Sequence, residues 1–324
     1  MGIKYLNTFI KKICSNSYQK EDIEKYKNKK IVVDASIYLY KFSVGNMLIE
    51  NFYLLISIFL QYNIIPIFVF DGKPTVEKYD IIQKRKEERQ MNKDKYEKLL
   101  EFLNDNVLSV KERKKLLNEI EIIKKKIVKV KKEDIMIVKE LMTAFGVTFI
   151  ESDEEADGLC SYLVKTGKAD VCMSDDTDMF LYNCPLVIKD LDMVQKTVVE
   201  YNTRSVLQEM KLSIDNFIEI MVVTGTDYNV NNNLNLKEVY SSYKKYRKRK
   251  DRSECFYDWL EREKKMTVNK EELNNVKKMF VIDNSKYRDI IKNIVFVNKE
   301  KNVENIESIL SNYEIVYNDS LNSG

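Results

Sequence analysis

The sequence predicts an α/β fold: a central, mostly parallel sheet flanked by helices, with a helical insertion and a helical C-terminal region. Three observations carry this expectation. Short runs of β-branched and aromatic residues end repeatedly in an acidic residue. Helical periodicity fills the stretches between them. One segment, 84–133, breaks the alternation with dense charge, no strand pattern and almost no Gly or Pro.

The strand runs come in order along the chain. Ile31-Val32-Val33 leads into Asp34, and Ile64 to Phe70 leads into Asp71. Val147 to Ile150 precedes Glu151, Val171-Cys172-Met173 precedes Ser174-Asp175-Asp176, and Leu186-Val187-Ile188 precedes Lys189-Asp190. Each run is too short for a helix and has the composition of a buried strand. Helical patterns fall at about 46–62, 134–145 and 154–166. Apolar strands alternating with helices imply a parallel sheet covered on both faces. Such sheets bind ligands outside the carboxyl ends of their strands, where these acids fall.

The segment 84–133 holds 17 Lys and Arg against 10 Asp and Glu, a net of +7. The whole chain is only +3, so the remainder is net −4. Near-neutrality therefore hides a basic helical insertion on an acidic core. The expected organisation is a core of 1–83 and 134–228, the insertion 84–133, a separate region 229–265, and a helical extension 266–324. The region 229–265 opens on the Asn-rich stretch Asn229 to Asn235 and carries the basic run Lys244-Lys245-Tyr246-Arg247-Lys248-Arg249-Lys250. That run suits phosphate contact, a localisation signal or a solvated face. The last dozen residues are expected to fray.

The chain has 324 residues and no histidine. This excludes Ser-His-Asp and Cys-His triads, His-ligated zinc and a His general base. The five cysteines, Cys14, Cys160, Cys172, Cys184 and Cys255, are widely spaced without a C-x-x-C, which supports neither a disulfide framework nor a zinc site. A reducing, intracellular location, nucleus or cytoplasm, is the expectation. No signal-peptide pattern opens the chain. The apolar stretch Met47 to Phe70 is interrupted by Glu50, Asn51, Gln61, Asn63 and Pro66, so no membrane span is expected.

The acids that matter are Asp34, Asp71, Glu155, Asp157, Asp176, Asp178 and Asp227. Asp34, Asp71 and the Asp176/Asp178 pair follow strands. Glu155 and Asp157 open a helix, and Asp227 follows the apolar run Ile220 to Val223. Individually they suit helix first turns and turn caps. Together on one sheet edge they would repel one another unless cations neutralise them or some are protonated. Carboxylate oxygens suit Mg²⁺, with Mn²⁺ able to substitute. Two such ions about 4 Å apart activate water and stabilise both oxygens of an in-line phosphodiester displacement. The Asp176-Thr177-Asp178 pair also suits a haloacid-dehalogenase phosphatase, but Phe180 stands where that motif needs Thr.

In these motifs the chain resembles the flap endonuclease family, structure-specific 5′ nucleases related to xeroderma pigmentosum G. The resemblance covers roughly 1–230. It runs through Met1-Gly2-Ile3, Lys30 to Ser36 with Asp34, Val69-Phe70-Asp71-Gly72-Lys73-Pro74, Glu151 to Asp157, Ser174 to Asp178, and Gly225-Thr226-Asp227-Tyr228. It implies a PIN-like nuclease core and a two-metal site on the seven acids. It makes Lys78 and Arg85 the catalytic cations, with Gly2 close to the active site. Tyr40 would stack on a nucleobase, and 84–133 would form a helical arch over a single-stranded 5′ end. Lys78 and Arg85 are seven residues apart, two helical turns, and so share one helix face.

Three features depart from the family pattern. Asp157 stands where Glu is usual. Leu234-Asn235-Leu236 replaces the Gly-x-Gly turn by which the family's helix-two-turn-helix approaches duplex phosphates. The segment 229–265 is therefore expected to be a degenerate helix-two-turn-helix region in which Lys244, Lys245, Arg247, Lys248 and Arg249 meet the duplex through side chains. A sliding-clamp-binding peptide is absent from the C-terminal sequence. The Asn-, Ile- and Lys-rich composition is compatible with a divergent viral or AT-rich-genome member. The expected activity is cleavage of branched, 5′-flap DNA near the junction of single strand and duplex, in replication, repair or recombination. The alternatives on the same fold are a 5′→3′ exonuclease, a four-way-junction resolvase, an RNase, or a non-catalytic nucleic-acid-binding relative.

Overall fold

The computed structural model describes residues 2–318 except 4, 107, 230–233, 251–252 and 265–268. Seven strands form one sheet: β1 (Tyr18–Asp22), β2 (Lys30–Asp34), β3 (Ile65–Phe70), β4 (Thr148–Glu151), β5 (Val171–Met173), β6 (Leu186–Asp192) and β7 (Thr197–Asn202). Their order is β1-β7-β6-β5-β2-β3-β4. The five strands read from the sequence pair in parallel, as expected. The polar edge strand β1 and its neighbour β7 were not among them. Both run antiparallel, β7 against β6 and β1 against β7, so the sheet is mixed.

Strand alternation sorts the core onto two faces. On β2, Val32 points to one face and Ile31 and Val33 to the other. The second face is covered by α2 (Ala35–Phe42), α3 (Leu48–Gln61) and α6 (Lys132–Ala144). Phe52, Phe59 and Phe68 are fully buried there. The first face is covered by α1 (Leu6–Ile13), α7 (Ala156–Lys165), the short α8 (Asp178–Leu181), α9 (Thr203–Met210) and α10 (Ile214–Thr224).

Between β3 and α6 rise α4 (Tyr79–Asp105) and α5 (Val110–Lys126), packed against each other as a hairpin. The first of these helices begins at Tyr79, five residues before 84. Lys78 lies just before that helix, in a 3₁₀ turn over Val76–Lys78, and not on a regular helix with Arg85. A capping box of Ser109 and Glu112 starts α5.

The remaining helices are α11 (Leu236–Arg247), α12 (Phe256–Lys264), α13 (Lys270–Met279), α14 (Asn284–Ile291) and α15 (Val303–Ser311). They return to the body of the molecule. Residues of α11 to α14 join the first core and α15 the second. The expected fraying over the last dozen residues is overturned up to 318. Ile315 and Tyr317 pack on the second core, and Asn318 donates its N–H to the Tyr53 hydroxyl at 2.9 Å; 319–324 lie outside the described residues. Among the described residues no helix is long and apolar enough to cross a membrane.

Candidate metal centre and nucleic-acid cleft

The parallel strands deliver the acids to one edge. Asp34 ends β2 and caps α2, where its carboxylate accepts the Ile37 N–H. Asp71 follows β3, and its Oδ1 accepts the Ala156 N–H at 2.8 Å, the first amide of α7. Asp71 and Glu155 thus meet the positive end of α7, and Asp157 lies in its first turn. Beyond β5, Ser174 ties two acids together. Its hydroxyl donates to Asp34 Oδ2 at 2.9 Å and accepts the Asp176 N–H at 3.1 Å. Asp176 Oδ1 then accepts the Asp178 N–H at 2.9 Å. Asp227 is held in a turn pinned by buried Asn229, whose side chain bonds Thr226 and the Val222 carbonyl.

All seven acids share one electrostatic neighbourhood. Burial pushes the Asp34 carboxyl up to about 8, and the nearby Asp71 and Asp176 charges add to the shift. Burial also raises Asp157 and Asp178 well above the usual carboxylate range, with Asp176 the largest charge contribution to both. Asp227 and Glu155 act on Asp178, and Glu155 on Asp157. Gly2 fits against this cluster. A Cβ there would overlap Asp176 and Thr177 and come within 2.6 Å of Asp178 Oδ1, and its φ is +73°. The Ile3 N–H donates to Thr177 Oγ1 at 2.9 Å, which fastens the N-terminal residues to the same strand end.

The two basic residues sit on the acids. Lys78 Nζ pairs with Glu155 Oε1 at 2.6 Å, and Arg85 Nη2 pairs with Asp227 Oδ2 at 2.6 Å. Burial would lower the Lys78 pKa, but Glu155 and Asp157 outweigh it and hold the ammonium charged. Tyr228 was not singled out from the sequence as a site residue. Its hydroxyl donates to Glu155 Oε2 at 2.6 Å, and Lys78 Nζ lies 4.7 Å from its ring centroid. Its position directly after Asp227 was the only signal in the chain.

The donor set suits a hard cation. It is oxygen only, and the buried Asp178 Oδ1 has no hydrogen-bond partner. Among the described residues no three acidic or cysteine side chains stand as a finished ligand cage. Two of the seven acids are instead neutralised by Lys78 and Arg85.

A cleft of about 1040 Å³ opens beside the acids under the α4–α5 hairpin. Tyr40, Arg85, Arg89, Lys95, Lys125 and Lys126 line it, and Tyr40 is 46% exposed. The second basic run lies elsewhere, on α11 and the turn after it. Lys244 and Lys245 are exposed. Arg247 donates to the Lys211 carbonyl, and Arg249 pairs with Glu254. The run is therefore partly committed within the fold. Residues 230–233 of the Asn-rich turn lie outside the described residues. Asn235 caps α11 by accepting the Lys237 N–H, and Leu236 is buried.

This combination of a mixed α/β sheet, an acidic strand-end cluster and a basic hairpin defines a class of nuclease-like folds. Comparison with known proteins narrows the class. The XPG N-terminal domain model matches residues 1–92 and the XPG I-region model residues 146–227. Flap endonuclease 1 of Xenopus tropicalis is 30% identical over 247 residues, 70% of this chain and 61% of the relative. Flap endonuclease 1 of Enterocytozoon bieneusi is 27% identical over 265 residues, covering 76% and 71%. Among solved structures, flap endonuclease-1 from Methanococcus jannaschii superposes with a TM-score of 0.66 at 20% identity, over 99% of this chain and 96% of that one. The catalytic core of Rad2 in complex with DNA substrate gives 0.64 at 23%, over 96% and 95%. The chain belongs to the XPG and flap endonuclease family. It spans about three-fifths of the length of the first curated relatives it matches.

Proposed function

We propose that the protein is a divalent-metal-dependent 5′ nuclease that cleaves branched DNA, 5′ flaps foremost, near the junction of single strand and duplex. The observation that carries the reading is the pairing of seven clustered carboxylates with a basic cleft beside them. An acid cluster alone repels phosphates, so a DNA-cleaving site needs both bound cations and a positive guide. The relatives' names and the DNA substrate of the Rad2 core support the same assignment. Intracellular DNA, in nucleus or cytoplasm, is the corresponding partner.

Asp34, Asp71, Glu155, Asp157, Asp176, Asp178 and Asp227 would hold two Mg²⁺ ions, directly or through water, with Mn²⁺ able to substitute. Bound there, such ions supply an activated water and charge stabilisation for in-line displacement. The rest belongs to the chain. Lys95, Lys125 and Lys126 draw the single strand under the hairpin. Tyr40 offers a stacking face to an unpaired base. Lys78 and Arg85, released from their carboxylates, engage the scissile phosphate, Arg85 with a fork of donors. Lys244, Lys245, Arg247, Lys248 and Arg249 supply a basic surface for the duplex. Gly2 lets the backbone lie against the acids.

The test is a 5′-flap duplex incubated with Mg²⁺. Cleavage by wild type and none by Asp176→Ala/Asp178→Ala supports the reading; equal activity in both sinks it. Nicked, four-way-junction and RNA substrates in parallel distinguish flap cleavage from exonuclease, resolvase and RNase activity.

A further inference from the structure

We infer that Tyr228 is a positioning residue. It fixes one oxygen of Glu155 so that the other oxygen is exchanged between Lys78 and a divalent cation. The inference rests on the metal-dependent reading above.

Glu155 is occupied on both oxygens, by different partners. Tyr228 donates to Oε2 and Lys78 pairs with Oε1, each at 2.6 Å. The tyrosine also lies under the lysine, whose Nζ is 4.7 Å from the ring centroid. One residue therefore holds an acid by its hydroxyl and a cation by its face. Tyr228 is itself held. The Tyr182 hydroxyl is 3.3 Å from that of Tyr228, and because the Tyr228 proton goes to Glu155, Tyr182 is the donor. Phe280, at the end of α13, packs edge-on against both rings, with centroids 5.3 Å from Tyr182 and 5.6 Å from Tyr228. The C-terminal helices thus lock the ring that orients Glu155.

The two contacts differ in kind. Losing the hydroxyl bond would free the carboxylate to rotate. Losing the ammonium pair leaves it in place, still anchored at Oε2. Glu155 would therefore offer a cation a pre-oriented Oε1, and Lys78 would leave that oxygen without any movement of Glu155. Lys78 stays over the Tyr228 face, freed to meet a phosphate. Loading of the cation and release of Lys78 become one event.

The experiment compares Tyr228→Phe and Tyr228→Leu with wild type. Mg²⁺ binding is measured by isothermal titration calorimetry, and single-turnover flap cleavage is measured against Mg²⁺ concentration. Loss of a group that orients a ligand should weaken Mg²⁺ binding about 10-fold in Tyr228→Phe. Its rate at saturating Mg²⁺ should stay near wild type, with KM for DNA unchanged. Tyr228→Leu should show the same loss of affinity plus a rate deficit that Mg²⁺ does not restore. Unchanged Mg²⁺ affinity in Tyr228→Phe overturns the inference, as does a Leu variant no slower than the Phe variant. Calorimetry needs no cleavage, so an inactive wild type with the expected affinity shift would count against the nuclease reading alone. Should either variant fail to fold, wild type still decides. Mg²⁺ should speed modification of Lys78 by an amine-reactive reagent, read by mass spectrometry, and an unchanged rate overturns the inference.

Discussion

Arg85 and Asp227 lie 142 residues apart in the chain and meet with Nη2 2.6 Å from Oδ2. The hairpin over the cleft is thereby tied to the turn after α10 by one ion pair. The Arg85 side chain is 40% exposed, so the pair itself adds little stability. Replacing Arg85 by Ala should change the unfolding free energy of the metal-free protein by less than about 1 kcal/mol. The same variant should slow single-turnover flap cleavage roughly 100-fold, the scale of losing a charge-stabilising donor. Denaturant titration and quench-flow kinetics check both, and a near-wild-type rate would remove Arg85 from the chemistry.

The pH dependence of the metal-free protein follows from raised carboxyl pKa values. The Asp34 carboxyl is pushed up to about 8 by burial and its acidic neighbours, against an unfolded value near 3.8. Between those limits the folded state binds more protons than the unfolded state. Stability is fully present below about pH 4 and is lost as pH rises through about 8. Asp157 and Asp178 shift in the same direction. In EDTA the melting temperature should be lower at pH 8 than at pH 5, and added Mg²⁺ should narrow that gap. A melting temperature that climbs over this range in EDTA would contradict the acid-cluster electrostatics.

Gly72 follows Asp71 and has no room for a side chain. A Cβ there would strike the backbone carbonyl of Ser152 and lie 2.5 Å from that of Asp153. The Gly72 N–H also donates to the Glu154 carbonyl. Gly72→Ala should cost about 2–4 kcal/mol of stability, because backbone and not a flexible side chain must yield. It should also reduce Mg²⁺ affinity by shifting Glu155. Thermal unfolding and calorimetry together test this, and a neutral substitution would mean that the loop gives way freely.

The cleft charges should appear in salt dependence. Changing Lys95, Lys125 and Lys126 together to Ala removes three cations from its lining. For a single strand, each lost phosphate contact lowers the slope of log affinity against log salt by about 0.7. Flap binding should weaken and its slope fall by about 2. Binding of a flapless nicked duplex should change much less. Fluorescence anisotropy across a salt series measures both, and equal losses on the two substrates would place these lysines on the duplex.

The parallel half of the sheet was legible because buried strands write themselves as apolar runs. The runs around Val32, Val69 and Cys172 carry no competing signal. β1 was not legible, since Gln19, Lys20, Glu21 and Asp22 form a polar edge whose strand character comes only from pairing with β7. Asp227 follows helix α10 and only its Gly225 to Tyr228 motif marked it, whereas Asp34, Asp71, Asp176 and Asp178 could be read from strand ends and Glu155 and Asp157 from a helix start. Their partners could not: the Lys78–Glu155 and Arg85–Asp227 pairs need the hairpin folded over the sheet. Phe280 reads as one more helix-end aromatic, and only packing brings it to Tyr182 and Tyr228.

The edge strand β1 has a consequence for life at high concentration. An open row of backbone donors and acceptors invites a second chain to pair with it. Here the strand is only five residues long and its outward positions are charged or amide side chains. A neighbouring molecule would have to desolvate Lys20, Glu21 and Asp22 before gaining any ladder bond. The opposite edge, β4, is four residues long, with Lys139 over the rings of Phe70 and Phe149. Both rims of the sheet are thus guarded against edge-to-edge growth.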